Sequence, residues 1–377
     1  MLDLTSIPVV DNHCHPVFLN QQLDTLEFRN CFIEGNGPSF ADKHIPNSVY
    51  YLWFLRQTAN FYGCARTEEA VLAARKAIST EGLIERFLRA AHIDTLVIDT
   101  GYPASEISFP LERMGELGHC RIAKLLRLEL LMQQLIVAQG DFDEVIERFS
   151  SALNNMRSQG YHGFKSIVAY RTGLDVREWS KDEAADSFAE ARAQAVRAGQ
   201  LRIAHKPVLD YLLHIAFGKA AEQELPVQFH TGYGDSDTDM RLGNPLHLRA
   251  VMERGDYESM QIVLLHESYP YSQLGAFLAS IYPNVYFDLS YTIPFVDKLE
   301  MLAFTRQAIS VAPASKLMYS TDSVRLPEMH WAGALRGRSV IGQVLDEMID
   351  ADEIDEEQAL HIAQLILRDT AYGVYKL

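Results

Sequence analysis

Cysteine is scarce in this chain. Cys14, Cys31, Cys64 and Cys120 are spread through 377 residues without one Cys-x-x-Cys pair, which excludes a zinc knuckle and a disulfide framework and leaves reduced thiols as the expectation. Positive charge is also short. Lys and Arg number 34 against 50 Asp and Glu, a formal charge of −16, so phosphate backbones and anionic membranes are poor partners. No run approaches the roughly 18 apolar residues of a membrane span. The opening Met1-Leu-Asp-Leu-Thr-Ser-Ile-Pro8 carries no basic segment leading into an apolar core, and a cytoplasmic location is expected. A Gly-x-Gly-x-x-Gly turn is missing as well, which argues against an open dinucleotide-binding sheet. What remains is ordinary globular material, 48% hydrophobic and 10% aromatic, enough to bury a large core. The expected partner is a small molecule; a homo-oligomer stays open.

Short apolar runs alternate with helical periods from residue 92 onward, the pattern of stacked βα units on a parallel sheet. Strands are predicted over 7–15, 92–100, 121–131, 163–169, 226–232, 261–267, 285–290 and 317–322. Eight strands interleaved with helices predict one α/β domain over 1–377, a (β/α)8 TIM barrel, whose strands are buried on both faces and read as continuous apolar runs. Helix signals are clear at Asp141 with Glu144, running to a stop at Gly160, and at Ser180 with Glu183, running to Gly199. A last helix is predicted from Glu356 to about Tyr372. Residues 17–91 break the βα rhythm with several helical pieces, including the aromatic Tyr50-Tyr-Leu-Trp-Phe54, and predict a helical insertion after strand 1. At that position it either covers the barrel mouth or decorates the wall.

Five of the predicted strands end in side chains able to hold a metal. Asp11-Asn-His13-Cys-His15 offers two imidazoles on one side of a strand, since side chains alternate. Lys165, His230, His266 and Asp322 each end a run of their own and would converge at the C-terminal mouth of a barrel. Their joint occurrence points to metal-dependent hydrolysis. Arg127 and Glu129 are predicted on one face of strand 3, with Tyr170 and Arg171 following Lys165. A guanidinium there suits a substrate carboxylate, the alternative being an ion pair with a loop acid. Tyr102, Glu267 and His330 are further mouth candidates. Asp235, Asp237 and Asp239 either bind a substrate ammonium or cap a turn. The other histidines, among them His92, His162 and His214, are expected to be structural.

The motifs Asp11-Asn-His-Cys-His15, Gly163-Phe-Lys-Ser166, Gln228-Phe-His-Thr-Gly-Tyr-Gly-Asp235, Leu265-His266 and Ser320-Thr-Asp-Ser323 make the chain resemble the amidohydrolase superfamily over essentially its whole length. More narrowly it resembles the second-type amidohydrolases, metal-dependent hydrolases of the TIM-barrel fold. The resemblance implies two divalent ions per chain, His13, His15 and Asp322 holding one and His230 and His266 the other, with a carboxylated Lys165 bridging them. Carboxylation replaces an ammonium, which has no lone pair to give, by two oxygens; the alternative is a lysine whose stem fills the barrel while its amine pairs with Glu129 or Asp322. Zinc suits imidazole and carboxylate, and manganese or iron also fits. The implied chemistry is attack of a metal-activated hydroxide on an amide or related C–N bond of a small, carboxylate-bearing substrate, with Asp322 moving the proton. Some relatives of this branch are nodulin-like proteins fused to a glutamine-synthetase-like domain, which hints at γ-glutamyl or N-acyl amides. The runner-up is a single-metal, non-oxidative decarboxylase resembling the aminocarboxymuconate-semialdehyde type, which needs no bridging lysine.

Overall fold

The computed structural model describes residues 2–35 and 38–377. Eight strands, β1 (Val9–Cys14), β2 (Ile93–Asp99), β3 (Arg121–Arg127), β4 (Tyr161–Ser166), β5 (Val227–Phe229), β6 (Ile262–Leu264), β7 (Val285–Ser290) and β8 (Leu317–Ser320), form one sheet in sequential order with parallel pairing. The end of β8 returns to β1: the Asp322 amide donates to the His13 carbonyl at 2.9 Å and the His15 amide to the Ser323 carbonyl at 2.8 Å. With helices between the strands, this is the (β/α)8 barrel predicted from the alternation of apolar runs. β1, β5, β6 and β8 are buried at every residue, as a parallel sheet covered on both faces requires.

The chain divides into two compact units, residues up to Ala123 together with Asp288–Gly373, and Lys124–Phe287 together with Val374–Leu377. In the first, the stretch between β1 and β2 carries the α-helices Thr25–Arg29, Pro38–Lys43, Val49–Tyr62, Glu68–Lys76 and Thr80–Ala91. Four begin at Asp24, Ser48, Thr67 or Ser79, each accepting a backbone N–H of its first turn. Phe28, Phe32, Tyr50, Tyr51 and Phe54 make an aromatic core that packs on Leu326, Met329 and Ala332 at the start of the long helix Pro327–Asp350. A buried ion pair joins the same parts, with Arg75 Nε donating to Glu328 at 2.6 Å while its other nitrogens donate to Gln21. The last helix runs from Glu356 to Gln364, passes through a π-turn over Leu365–Asp369 and ends at Tyr375.

In the second unit, Ser180 and Glu183 form a full capping box and Gly199 closes the helix Lys181–Ala198 in the left-handed conformation, both as predicted. Asp141 caps its helix too, but that helix ends at Ala152; Asn155 turns left-handed and a single 3₁₀ turn, Met156–Gln159, precedes Gly160. The strand predicted over 121–131 stops at Arg127. Leu128–Ala138 is a helix of strong helix formers with Leu128, Met132 and Ile136 buried at spacings of four, and a short continuous apolar run cannot reveal that change of period. β4 stops at Ser166 rather than 169, because the Ile167 amide donates to the Glu129 carboxylate instead of to a strand. β5 and β6 are three residues each, since left-handed backbone follows at Gly232 and at His266–Ser268.

Candidate metal centre

In the first unit, β1 delivers His13 and His15, and the turn after β8 delivers Asp322. Both Nε2 atoms lie 3.4 Å from the same oxygen, Asp322 Oδ1. Ligand atoms about 2.1 Å from one tetrahedral ion stand about 3.4 Å apart, so the spacing is that of donors around a cation. The His15 Nδ1–H donates to the Tyr102 carbonyl at 3.0 Å. A carbonyl can only accept, so Nε2 carries the lone pair and faces Asp322. The two rings meet edge-on with centroids 5.0 Å apart. The His13 side chain is fully buried and that of His15 is 10% exposed, whereas the Asp322 side chain is 20% exposed, the most accessible of the three. A divalent ion fits this donor set of two imidazoles and one carboxylate.

Asp99, the last residue of β2, joins them: its carboxylate and the ring nitrogens of His13 and His15 all lie within 4.8 Å of one another. The sequence reading missed it, although it ends its strand as the other candidates end theirs. Tyr102 enters through its backbone, because its hydroxyl is tied to Arg325. His330 is not at the mouth; it is buried, with Nδ1 3.8 Å from Asp11 Oδ2.

In the second unit Lys165, His230 and His266 are each buried. The rings of His230 and His266 have centroids 4.5 Å apart. His230 Nε2–H donates to the Tyr233 carbonyl at 2.5 Å, which leaves Nδ1 as its basic nitrogen, and the Tyr170 ring lies against it at 4.2 Å. His266, Glu267 and Ser268 have φ of 61°, 57° and 47°. Three successive non-glycine residues in the left-handed region each cost about 1–2 kcal/mol, strain of the sort that accumulates at functional turns. Gly232, at φ 74°, takes the chain past this turn; a Cβ there would stand 2.3 Å from the Tyr269 carbonyl oxygen. Thr231 ties the two loops, donating to the Leu265 carbonyl at 2.6 Å.

Glu129 does not alternate with Arg127 on strand 3; it lies in the first turn of the helix Leu128–Ala138 and is fully buried. One oxygen accepts the Ser166 hydroxyl at 2.7 Å and the Ile167 amide at 2.9 Å. Burial raises its pKa, and these hydrogen bonds oppose the rise. Arg171 is half-buried with no side-chain hydrogen bond to its Nε, and burial followed by the charge of Arg202 lowers its pKa. The carboxylates of Glu129 and Asp237 oppose that lowering. Arg202 is occupied by Asp237 and the Tyr170 carbonyl. Asp235, Asp237 and Asp239 serve the turn: Asp235 accepts the Asp237 amide and Asp239 pairs with Arg241. His92, His162 and His214 bond to the Thr5 carbonyl, the Tyr375 carbonyl and the Tyr257 hydroxyl, structural roles as expected.

Residues 137–377 match the family profile described as Amidohydrolase. The chain belongs to the amidohydrolase family. The matched stretch includes Lys165, His230, His266 and Asp322, while His13, His15 and Asp99 precede it. This amidohydrolase is 27% identical to Protein fluG of Emericella nidulans across 98% of the chain and 46% of the relative; it spans about half the length of that curated relative. A solved structure from Lactobacillus casei, reported as a proposed metal-dependent hydrolase, superposes with a TM-score of 0.87 at 27% identity, covering 100% of this chain and 98% of that one. Uronate isomerase of Thermotoga maritima shares the fold at a TM-score of 0.70 and 14% identity over 98% and 95% of the two chains. No helix among the described residues is long and apolar enough to cross a membrane.

Proposed function

We propose that this amidohydrolase hydrolyses an amide or related C–N bond of a small, carboxylate-bearing substrate, a γ-glutamyl or N-acyl amide being the class to test first. The observation that carries the reading is the approach of two Nε2 atoms to one Asp322 oxygen at 3.4 Å, with the His15 tautomer set by a carbonyl. His13, His15 and Asp322, with Asp99 in reach, hold one divalent ion, zinc being suited and manganese or iron compatible. His230, His266 and a carboxylated Lys165 hold a second. Bound there, such ions polarise a carbonyl and bring the pKa of water near neutrality.

The chain's own residues supply the rest. Asp322, the accessible carboxylate of its set, takes a proton from the attacking water and returns it to the departing amine, which must leave protonated. Arg171 grips the substrate carboxylate, and Tyr170, packed on His230, borders the same subsite. Residues 17–91 shape the pocket, a role supported by their bonds to the strand-8 exit: the Phe18 amide and Gln21 Nε2 both donate to the Arg325 carbonyl, three residues past Asp322.

The test is metal content per chain by elemental analysis, on protein purified without chelator and with carbon dioxide present, for wild type and Lys165→Ala. Two ions falling to one or none on substitution are expected. A single ion indifferent to the substitution would make Lys165 structural and favour the single-metal decarboxylase.

A further inference from the structure

Asp11 stands two residues before His13, fully buried, and both of its oxygens accept hydrogen bonds from Thr321. Oδ1 accepts the Thr321 amide at 2.9 Å and Oδ2 the Thr321 hydroxyl at 2.5 Å. The Thr321 hydroxyl oxygen in turn accepts the Ser323 amide at 3.0 Å, and the Thr321 carbonyl accepts the Thr292 hydroxyl. Every polar group of Thr321 is thereby committed, on both sides of Asp322. The methyl is committed too. A Cβ added at Gly333 would stand 2.6 Å from Thr321 Cγ2, so the long helix is packed down onto it. What this clamp encloses is Asp322 in the left-handed conformation, φ 54°, its amide on the His13 carbonyl at 2.9 Å. The left-handed well costs an L-residue about 1–2 kcal/mol unless its surroundings hold it there.

We propose that Asp11 is a positioning residue for Asp322: through the amide and hydroxyl of Thr321 it fixes the left-handed turn that presents the Asp322 carboxylate to His13 and His15. The proposal rests on the metal-ion reading of those three residues. The second unit repeats the device with different residues. There the buried Glu129 accepts a hydroxyl and an adjacent amide, Ser166 and Ile167, immediately after Lys165. In both cases a buried carboxylate, from within β1 or from the first turn of a helix, holds the residues next to a candidate ligand.

The experiment uses cobalt as the probe, added to metal-depleted full-length protein, with the visible absorption spectrum and the dissociation constant against a competing chelator as readouts. Thr321→Val keeps the shape and removes the hydroxyl; Thr321→Ser keeps the hydroxyl; Asp11→Asn is the second disruption should the valine variant fold poorly, with thermal midpoints as the folding control. Loss of ~10–100-fold in cobalt affinity and a shifted spectrum are expected for Thr321→Val and Asp11→Asn, the scale on which groups orienting a ligand act. Thr321→Ser should return both readouts close to wild type. A wild-type spectrum and affinity in folded Thr321→Val and Asp11→Asn would overturn the positioning role, as would equal damage from Thr321→Ser and Thr321→Val. Wild-type protein that takes up no cobalt would overturn the metal reading itself, and the positioning role with it.

Discussion

At the scale of the residue, a backbone carbonyl fixes which ring nitrogen of a histidine carries the proton. His15 gives its Nδ1 proton to a carbonyl and His230 its Nε2 proton, so two imidazoles of identical chemistry present opposite nitrogens. Asp322→Asn keeps the short side chain, the backbone preference and one oxygen donor, but cannot take up a proton. We predict that metal content stays within a few tenths of wild type while turnover falls ~10²–10⁴-fold; near wild-type turnover at full occupancy would remove Asp322 from its role. Gly232→Ala is predicted to destabilise by about 1–3 kcal/mol, from left-handed backbone and collision with the Tyr269 carbonyl, read as a lower denaturant midpoint at unchanged slope. An unshifted midpoint would mean that the loop relaxes freely. The ligand candidates were legible in the sequence because each is a chemically distinctive side chain ending an apolar run. Asp11 and Thr321 were not, because a carboxylate and a hydroxyl 310 positions apart leave no local pattern when their meaning lies in each other.

At the scale of the element, strand and helix signals succeeded where both ends were marked and failed where only hydrophobicity spoke. Ser180, Glu183 and Gly199 bracket their helix and were read correctly. At Arg127 to Ala138 nothing marks the change from period two to period 3.6, so β3 was read four residues too long and Glu129 was assigned to the wrong kind of surface. The insertion was recognisable as helical, but its anchorage was not, since Arg75 and Glu328 are far apart in the chain. Both are 1% exposed. Removing one partner of such a pair strands a buried charge, and Arg75→Met is predicted to cost about 3–5 kcal/mol in unfolding free energy. The double variant Arg75→Met with Glu328→Leu should recover most of it, because no uncompensated ion remains. If chemical denaturation shows the double variant no more stable than the single, the ion pair is not what couples the helix Glu68–Lys76 to Pro327–Asp350.

At the scale of the whole molecule, the (β/α)8 order was readable because the strands are short, most of them largely apolar, and each is followed by a helix, a rhythm that few other folds share. The division into two compact units was not, since it follows how contacts are distributed rather than any break in composition. If ions occupy the centre, they bind the folded chain and not the unfolded one. At a thousandfold excess over the dissociation constant, one ion adds ~4 kcal/mol. Stripping with chelator is then predicted to lower the thermal midpoint by roughly 4–8 °C and metal readdition to restore it. An identical midpoint with and without chelator, in protein shown to have carried metal, would mean that the ion contributes nothing to folding.

The bonds from Asp11 to Thr321 have a consequence for how such a protein comes into being. At ~5–20 residues per second, roughly 15–60 s of synthesis separate the emergence of one from the other. During that interval His13 and His15 are without Asp322, so a site that needs all three side chains cannot form. On the proposed metal reading, loading of the first-unit centre follows synthesis of Thr321 and Asp322 rather than that of His13 and His15. On the same reading, the cation that a purified sample carries records the metal supply met by the folded chain, so expression medium is an experimental variable in its own right.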